Sequence, residues 1–377
     1  AQSNIRWRLT SAFPKALDTI YGAAEVFAKH VKEMSGGKFE ISVHAAGEIV
    51  PTPGLVDAVQ NGTVEMGHTA PYYYFGKDET FALGCAIPFG LNSRQMTAWQ
   101  YEGNGLKLMR EFYKNYNIIS FPMGNTGAQM GGWFRKEIKS IKDIKGLKFR
   151  IGGFAGRVIE RLGGVPQNIP GGDIYTALEK GTIDAAEWVG PYDDLKLGFY
   201  KVAKHYHYPG WWEGGPQLDL FINTKAYDSL TPEYKAIIEN AAAYAHTDMQ
   251  AKYDARNPAA LKQLVGLPWV LPPRGMGVRD YYERLWAGHA QQPALYPMST
   301  TALPVVLEAL RNTGSVSLMP QSIAQSLVDT GVAVVLAVKL PEALESSLQG
   351  LGLLTTGFAD GAALAALRKH LRAVPAR

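Results

Sequence analysis

Cysteine is nearly absent: Cys85 stands alone in 377 residues. That excludes an internal disulfide and a cysteine-built zinc site. Long apolar runs are also missing. The longest, such as GVAVVLAV (Gly331–Val338), have the length of a strand and fall far short of the roughly 20 residues that span a bilayer. There is no excess of one charge: the net is +4, so no polyanion partner is implied by charge. The phosphate loop G-x-x-x-x-G-K-[ST], the zinc motif H-E-x-x-H and the nucleophile elbow G-x-S-x-G do not occur. The stretch GGFAG (Gly152–Gly156) is not the dinucleotide fingerprint G-x-G-x-x-G. With no evident nucleophile–base pair, the chain reads as a binder and not an enzyme.

What is present is globular composition, 46% hydrophobic and 19% charged, in a length suited to two or three lobes. The composition breaks near residue 266. Residues 1–266 carry 20 Lys, 9 Arg and 35 aromatics; residues 267–377 carry 2 Lys, 7 Arg and 6 aromatics. Such a shift marks a domain boundary. The start, AQSNIRWRLT, lacks an initiator Met and reads as a mature exported chain.

One phrase occurs twice. LVDAVQNGTVEMGH (Leu55–His68) is echoed by IYTALEKGTIDAAE (Ile174–Glu187), with Ala58, Gly62 and Thr63 matched by Ala177, Gly181 and Thr182. Apolar residues at helical spacing, a Gly able to take the left-handed conformation, then a β-branched pair predict helix, stop and strand from Thr63 and from Thr182. Aromatics, Gly and Pro follow each copy. Ligands in open α/β sheets sit beyond the carboxyl ends of strands. The expectation is two similar α/β lobes clamping one ligand, the first built on a strand Ile5–Ala12, a helix about Leu17–Met34 and a strand Phe39–Ala46. The second begins at a strand near Gly146–Gly153, with a helix about Ala155–Leu162.

Three stretches could touch that ligand. Arg150 ends an apolar strand before two glycines and a helix start, where a guanidinium can pair with a carboxylate; an Arg on the strand's solvent face is the alternative. PGWWEGGPQLD (Pro209–Asp219) offers Trp rings and the oxygens of Glu213 and Gln217 to a hard cation, or else forms a buried aromatic corner. MGNTGAQMGGWF (Met123–Phe134) combines backbone access at Gly with Asn125 and Gln129, or is a plain crossover. His205-x-His207 reads as an ordinary strand.

These stretches, with RWRLTSAFP, the two repeat copies, DIKGLKFRIGG and HYPGWWEGG, occur in the order and spacing of a known family. Residues 1 to about 266 closely resemble the periplasmic solute-binding proteins of tripartite ATP-independent periplasmic (TRAP) transporters, particularly the α-keto acid-binding branch. The resemblance implies a periplasmic-binding-protein-like fold, with lobe I over residues 1–123, lobe II over 124–212, and a return to lobe I with a bracing helix over 213–266. It implies capture of a small 2-oxo carboxylate such as pyruvate together with a sodium ion, for TRAP membrane permease subunits, in the periplasm and without catalysis. By position it makes Arg150 the carboxylate ligand. Gln129, Trp188 (through its carbonyl) and Glu213 become the sodium site, and Asn125, Tyr74, Phe13 and Trp212 pocket walls.

The family should continue with long C-terminal helices that brace the lobes and build a homodimer. This chain instead reads PWVLPPRGMGVRD, RNTGSVSLMPQSIAQSLVDTGVAVVLAVKLP and GLGLLTTGFADGAALAALRKHLRAV. Residues 267–377 thus resemble the C-terminal part of the effector-binding domain of LysR-type transcription regulators, which suggests a chimeric chain with an α/β segment of different origin. No winged helix-turn-helix precedes it, so nucleic-acid binding is not expected. An effector-sensing regulator fragment is the alternative function.

Overall fold

The computed structural model describes residues 4–264, residue 325, and the strand segments 317–320, 334–335 and 351–355. The chain divides into two compact units, Ala1–Leu271 and Pro272–Arg377, close to the composition break. In the second unit Ser317–Pro320, Val334–Val335 and Leu351–Thr355 pair as an antiparallel sheet. The LysR-like motifs otherwise lie outside the described residues.

The first unit holds two five-stranded sheets. One is built from β1 (Ile5–Ser11), β2 (Phe39–His44), β3 (Met66–Thr69), β4 (Ile118–Asn125) and, last in the chain, β10 (Gln217–Asn223), in the order β2-β1-β3-β10-β4. The other uses β5 (Gly132–Phe134), β6 (Lys148–Arg150), β7 (Val165–Gln167), β8 (Ala185–Ala186) and β9 (His205–His207), in the order β7-β6-β8-β5-β9. The two orders follow one plan. In each sheet a parallel trio is extended by two strands, the first antiparallel to it.

The repeated phrase occupies equivalent places in that plan. Helices Leu55–Gln60 and Ile174–Glu179 bury their apolar face, then stop at Gly62 (φ +70) and Gly181 (φ +71). Both glycines take the left-handed conformation that an L side chain adopts only with strain. The strands start at Met66 and Ala185, each three residues after the expected Thr63 and Thr182. The backbone of Thr63 and Val64 bonds back to Ala58, and that of Thr182 and Ile183 to Ala177, so these residues complete the turn instead.

The first helix is also shorter than expected, Gly22–Met34, because Leu17 and Ile20 are buried in turns ahead of it. Its Ala24, Phe27 and Val31 join Leu9, Phe39, Leu220 and Ile238 in the core of the first sheet. Ile238 belongs to the long helix Pro232–Leu264, which also packs on β4 and on the helix Pro191–Leu197 near the second sheet. No helix among the described residues is long and apolar enough to cross a membrane.

The chain passes from the first sheet to the second between Asn125 and Gly132 and returns between His207 and Gln217. The two crossings run side by side. Gln129 N–H donates to the Glu213 carbonyl (3.0 Å), and Gly210 N–H to the Gln129 carbonyl (2.9 Å). The crossover and Trp-loop stretches singled out in the sequence are therefore the two threads joining the sheets.

Candidate functional site

Arg150 ends β6 and is 2% exposed, which rules out the solvent-face alternative. Its Nε donates to the Ile169 carbonyl (2.9 Å) and its Nη1 to the Glu187 carbonyl (3.0 Å). Nη1 also pairs with the Glu187 carboxylate, itself 1% exposed. The Trp188 ring lies 5.1 Å from the guanidinium and the Tyr73 ring 6.0 Å. Burial alone would depress Arg150, but Glu187, then Tyr72, Tyr73 and Glu213, outweigh it and hold its pKa above the ordinary value. It stays charged.

Glu213, on the returning crossing, is 4% exposed. Burial first, then the negative charge of Glu187, pushes its pKa well up, against Arg150 and a hydrogen bond from Tyr72. Glu187 is pushed up to about 7 by burial, against the pull of Arg150. One guanidinium thus faces two buried carboxylates. Neither Glu187 Oε2 nor Glu213 Oε2 has a hydrogen-bond partner among the described residues, and neither does Gln129 Oε1, whose Nε2 donates to Thr126 Oγ1 (3.0 Å). Three orphaned buried oxygens suit a hard cation, which takes oxygen ligands. No trio of His, Cys, Asp or Glu among the described residues could hold a metal, so a cation here must use amide or carbonyl oxygens as well. Gln129 Oε1 is one such oxygen.

The structure treats the remaining expected residues differently. Trp188 (3% exposed) is brought to Arg150; a Cβ on Gly171 would fall 2.3 Å from its ring, so only Gly fits beneath it. Trp212 lines a narrow gap of about 10 Å³ with Tyr72, Gly152, Phe154 and Glu213. Phe13 packs edge-on to Tyr73 (6.3 Å), one step from the guanidinium. Asn125 ties the crossings: Nδ2 donates to the Gly215 carbonyl (2.9 Å) and Oδ1 accepts from Gly127 N–H (2.9 Å).

Tyr74 is not brought here, which corrects the expectation. It turns into the cluster of Leu55, Val59 and Phe81, with its hydroxyl bonded to Thr69 Oγ1 and the Thr52 carbonyl (both 3.1 Å). The residues Pro71–Tyr74 form a 3₁₀ turn, in which successive side chains point about a third of a turn apart. Tyr72 and Tyr73 therefore face the cluster instead.

Sequence reasoning also missed Glu187. The signal was available: Glu187 is the last residue of the second repeat copy, where the first copy has His68. Both are buried polar groups at a strand end.

Contacts between the two halves close the rims of this region. Glu79 pairs with Arg157, Phe75 meets Phe154 edge-on (5.0 Å), and Asn168 donates to the Tyr73 carbonyl (3.3 Å). Asp18 likewise binds the Tyr192 hydroxyl (3.1 Å) and Lys196, and within its own half it pairs with Arg256 of the long helix (3.1 Å). The gap at Trp212 is too small for an organic anion, so any such ligand would enter only with the rims parted. These exposed pairs are each worth less than about 1 kcal/mol, which permits that motion. A separate cavity of about 470 Å³, lined by Ile87, Phe89, Leu91, Gln95, Met96 and Trp99, holds no charged side chain to pair with a carboxylate.

Other buried groups set a pH dependence. Asp193, Asp194 and Asp219 are each pushed up to about 7, chiefly by burial. His68, His207 and His246 are pushed down to about 4, also by burial. Between about 4 and 6.5 the folded state holds protons on the acids that the unfolded chain has released, and lacks protons on the histidines that the unfolded chain has bound. The two effects oppose each other. Glu187 joins the three aspartates, so four acids outnumber three histidines over that window, and the acids' contribution to stability is gone as pH rises through 7. Urea unfolding of the ligand-free protein should show a midpoint that falls from pH 4.5 to 6.5 and keeps falling, by on the order of a further 2 kcal/mol, to pH 8. A midpoint that rises over that upper range would contradict these assignments.

Comparison with known proteins decides the family. Residues 10–273 match the family described as bacterial extracellular solute-binding protein, family 7 (DctP). The chain belongs to this family. A monocarboxylate 2-oxoacid-binding periplasmic protein of Nostoc sp. is 54% identical over 262 residues, 70% of this chain and 72% of the relative. Among solved structures, a TRAP transporter solute-binding protein of Bordetella bronchiseptica is 52% identical, with a TM-score of 0.69 over 70% of this chain and 79% of its own. It is a mixed-occupancy dimer with calcium and picolinate in one active site. A TRAP periplasmic solute-binding protein of Pseudoalteromonas atlantica, with bound sodium and pyruvate, is 45% identical, with a TM-score of 0.68 over 70% and 80%.

The fold is accordingly the two-lobed α/β periplasmic-binding architecture, and the family serves solute capture for transport, not catalysis. The regulator-fragment reading is not favoured, since the family match covers most of the chain.

Proposed function

We propose that this protein captures a small monocarboxylate 2-oxo acid, pyruvate being the representative, with a hard cation of the sodium or calcium type. It hands the acid to TRAP permease subunits from the periplasm. One observation carries the reading: a buried guanidinium shares the lobe crossing with two buried carboxylates and three oxygens that lack partners. An anion and a cation entering together satisfy both halves of that arrangement. The ligand carboxylate meets the Arg150 edge carrying Nη2, which donates to neither carbonyl that holds the other nitrogens. Gln129, Glu213 and the Trp188 carbonyl hold the cation, and Phe13, Tyr72, Tyr73 and Trp212 wall the small organic group.

The lobes in this reading are residues 1–123 with 213–266, and 124–212, closing about the crossings. Residues from about 267 onward are a segment of different, LysR-like origin. The composition break, the unit boundary at 271 and the family match ending at 273 support that division. A homodimer is the corresponding assembly, as in the Bordetella relative.

Tryptophan fluorescence tests the ligand, because Trp188 and Trp212 both sit at the site. Pyruvate added with sodium or calcium present should give a saturable change at one site. A folded protein silent to every short 2-oxo acid in both salts would defeat the proposal.

A further inference from the structure

We infer that the end of the second sheet facing away from Arg150 is a docking surface for an anionic bilayer, with phosphatidylglycerol-type headgroups as the partner. The small net charge of the chain hides a strong asymmetry. Strands β6, β7 and β8 are parallel, β5 runs against β8, and β9 runs against β5, so one end of the sheet gathers five loop ends. Lys142 and Lys145 lead into β6, which begins at Lys148. Arg161 ends the helix before β7, and Lys180 precedes β8. On the other side β5 runs out into Arg135, Lys136 and Lys139, while Lys204 leads into β9. All nine are exposed. Five acids share this end: Glu137, Asp143, Glu160, Glu179 and Asp184. In the rest of residues 1–266 the acids outnumber the bases, 22 to 20.

The local acids leave most of this charge unmet. Glu137 pairs with Lys139 (3.1 Å). Asp143 accepts from the N–H groups of Lys139 (2.9 Å) and Ser140 (2.8 Å), and Asp184 from Lys148 N–H (3.0 Å). Among the described residues, the other eight bases have no ion-pair partner. The loop ends also touch one another. A Cβ on Gly181 would fall 2.7 Å from Arg135 Nη1, and one on Gly163 would fall 3.5 Å from Lys145 Cγ. Two features favour a bilayer over an acidic protein. Seven of the nine bases are Lys, point charges on flexible stems that suit mobile headgroups; fixed carboxylates are met better by the planar fork of Arg. Apolar tips are set among them. Ile141, between Lys139 and Lys142 on a 3₁₀ turn, is 69% exposed, with Val165 at 45% and Leu162 at 38% where β7 begins. Large apolar side chains in a basic field match the boundary between headgroups and acyl chains. Five strands about 4.8 Å apart spread this field across roughly 20 Å. Arg150 ends β6 at the opposite end, so docking here leaves the candidate ligand site uncovered.

The full chain would be sedimented with sucrose-loaded vesicles, either phosphatidylglycerol and phosphatidylcholine in equal parts or phosphatidylcholine alone, at about 20 mM and about 150 mM sodium chloride. Binding should require phosphatidylglycerol and weaken at least tenfold at the higher salt. Lys142→Glu/Lys145→Glu/Lys148→Glu should bind these vesicles at least tenfold more weakly, since each lysine near an anionic surface contributes about fivefold. Lys107→Glu/Lys114→Glu/Lys225→Glu changes the net charge equally through exposed lysines beside the first sheet, and should bind at least fivefold better than the first variant. Ile141→Ser should weaken vesicle binding at least threefold and leave retention on a polyglutamate resin unchanged. Circular dichroism and pyruvate affinity should match the unaltered protein in all three variants. No sedimentation with phosphatidylglycerol vesicles at low salt overturns the inference, whatever the site at Arg150 binds. Equal losses in the two triple variants overturn it in favour of net charge. Retention by polyglutamate without vesicle binding overturns it in favour of an acidic protein partner.

Discussion

Replacing Arg150 with Ala should weaken pyruvate binding at least a hundredfold. The guanidinium is buried and held at Nε and Nη1, so its plane is set before the ligand arrives. Truncating one partner of a buried, hydrogen-bonded charge pair costs about 2–5 kcal/mol. The same change strands Glu187, and breaking a buried pair is itself destabilising by about 3–5 kcal/mol. Binding must therefore be measured on protein shown to be folded by circular dichroism. Arg150→Lys separates the two effects. It keeps the charge opposite Glu187 but loses the planar fork, so it should unfold later than Arg150→Ala while still binding pyruvate at least tenfold more weakly than the natural residue. Wild-type affinity in either folded variant would remove Arg150 from the site.

The second large effect is expected at a residue with no polar side chain. Gly171→Ala puts a Cβ at 2.3, 2.7 and 2.9 Å from three carbons of the Trp188 ring, distances that real packing does not tolerate. The ring must shift, and Trp188 faces the Arg150 guanidinium at 5.1 Å. Overpacking of this kind costs about 1–3 kcal/mol of stability. Pyruvate affinity should fall about tenfold or more, since positioning errors of an ångström are felt strongly in preorganised sites. Isothermal titration beside urea unfolding checks both parts. Unchanged affinity with lowered stability would mean that Trp188 packs the lobe without shaping the site.

Much of this arrangement could be read from the residues. The repeated helix–Gly–strand phrase is legible because Gly62 and Gly181, lacking a Cβ, take the left-handed turn at no strain, and the two sheets repeat one strand order around it. Arg150 is legible because a strand that ends before two glycines leaves its last side chain at the carboxyl edge of a sheet. The crossings are legible as costly composition, Gly and Trp crowded where plain loops need neither.

Other features were hidden for physical reasons. Three consecutive tyrosines, Tyr72, Tyr73 and Tyr74, look interchangeable in a string, yet a 3₁₀ turn sends them to different neighbours. Leu17 and Ile20 keep helical spacing in turns that only partly bond as a helix, so periodicity carried the first helix five residues too far. Glu187 was hidden because local sequence marks it only as the end of a repeat; its importance comes from Arg150, 37 positions away in the chain. The motifs of the C-terminal segment lie largely outside the described residues.

The most direct test of the central claim is a crystal structure of the complex with pyruvate and calcium. The account predicts density for the ligand carboxylate within hydrogen-bonding distance of Arg150, and an anomalous peak bounded by Gln129, Glu213 and the Trp188 carbonyl. Ligand density in the apolar cavity by Phe89 and Trp99, with Arg150 still paired to Glu187 alone, would contradict it.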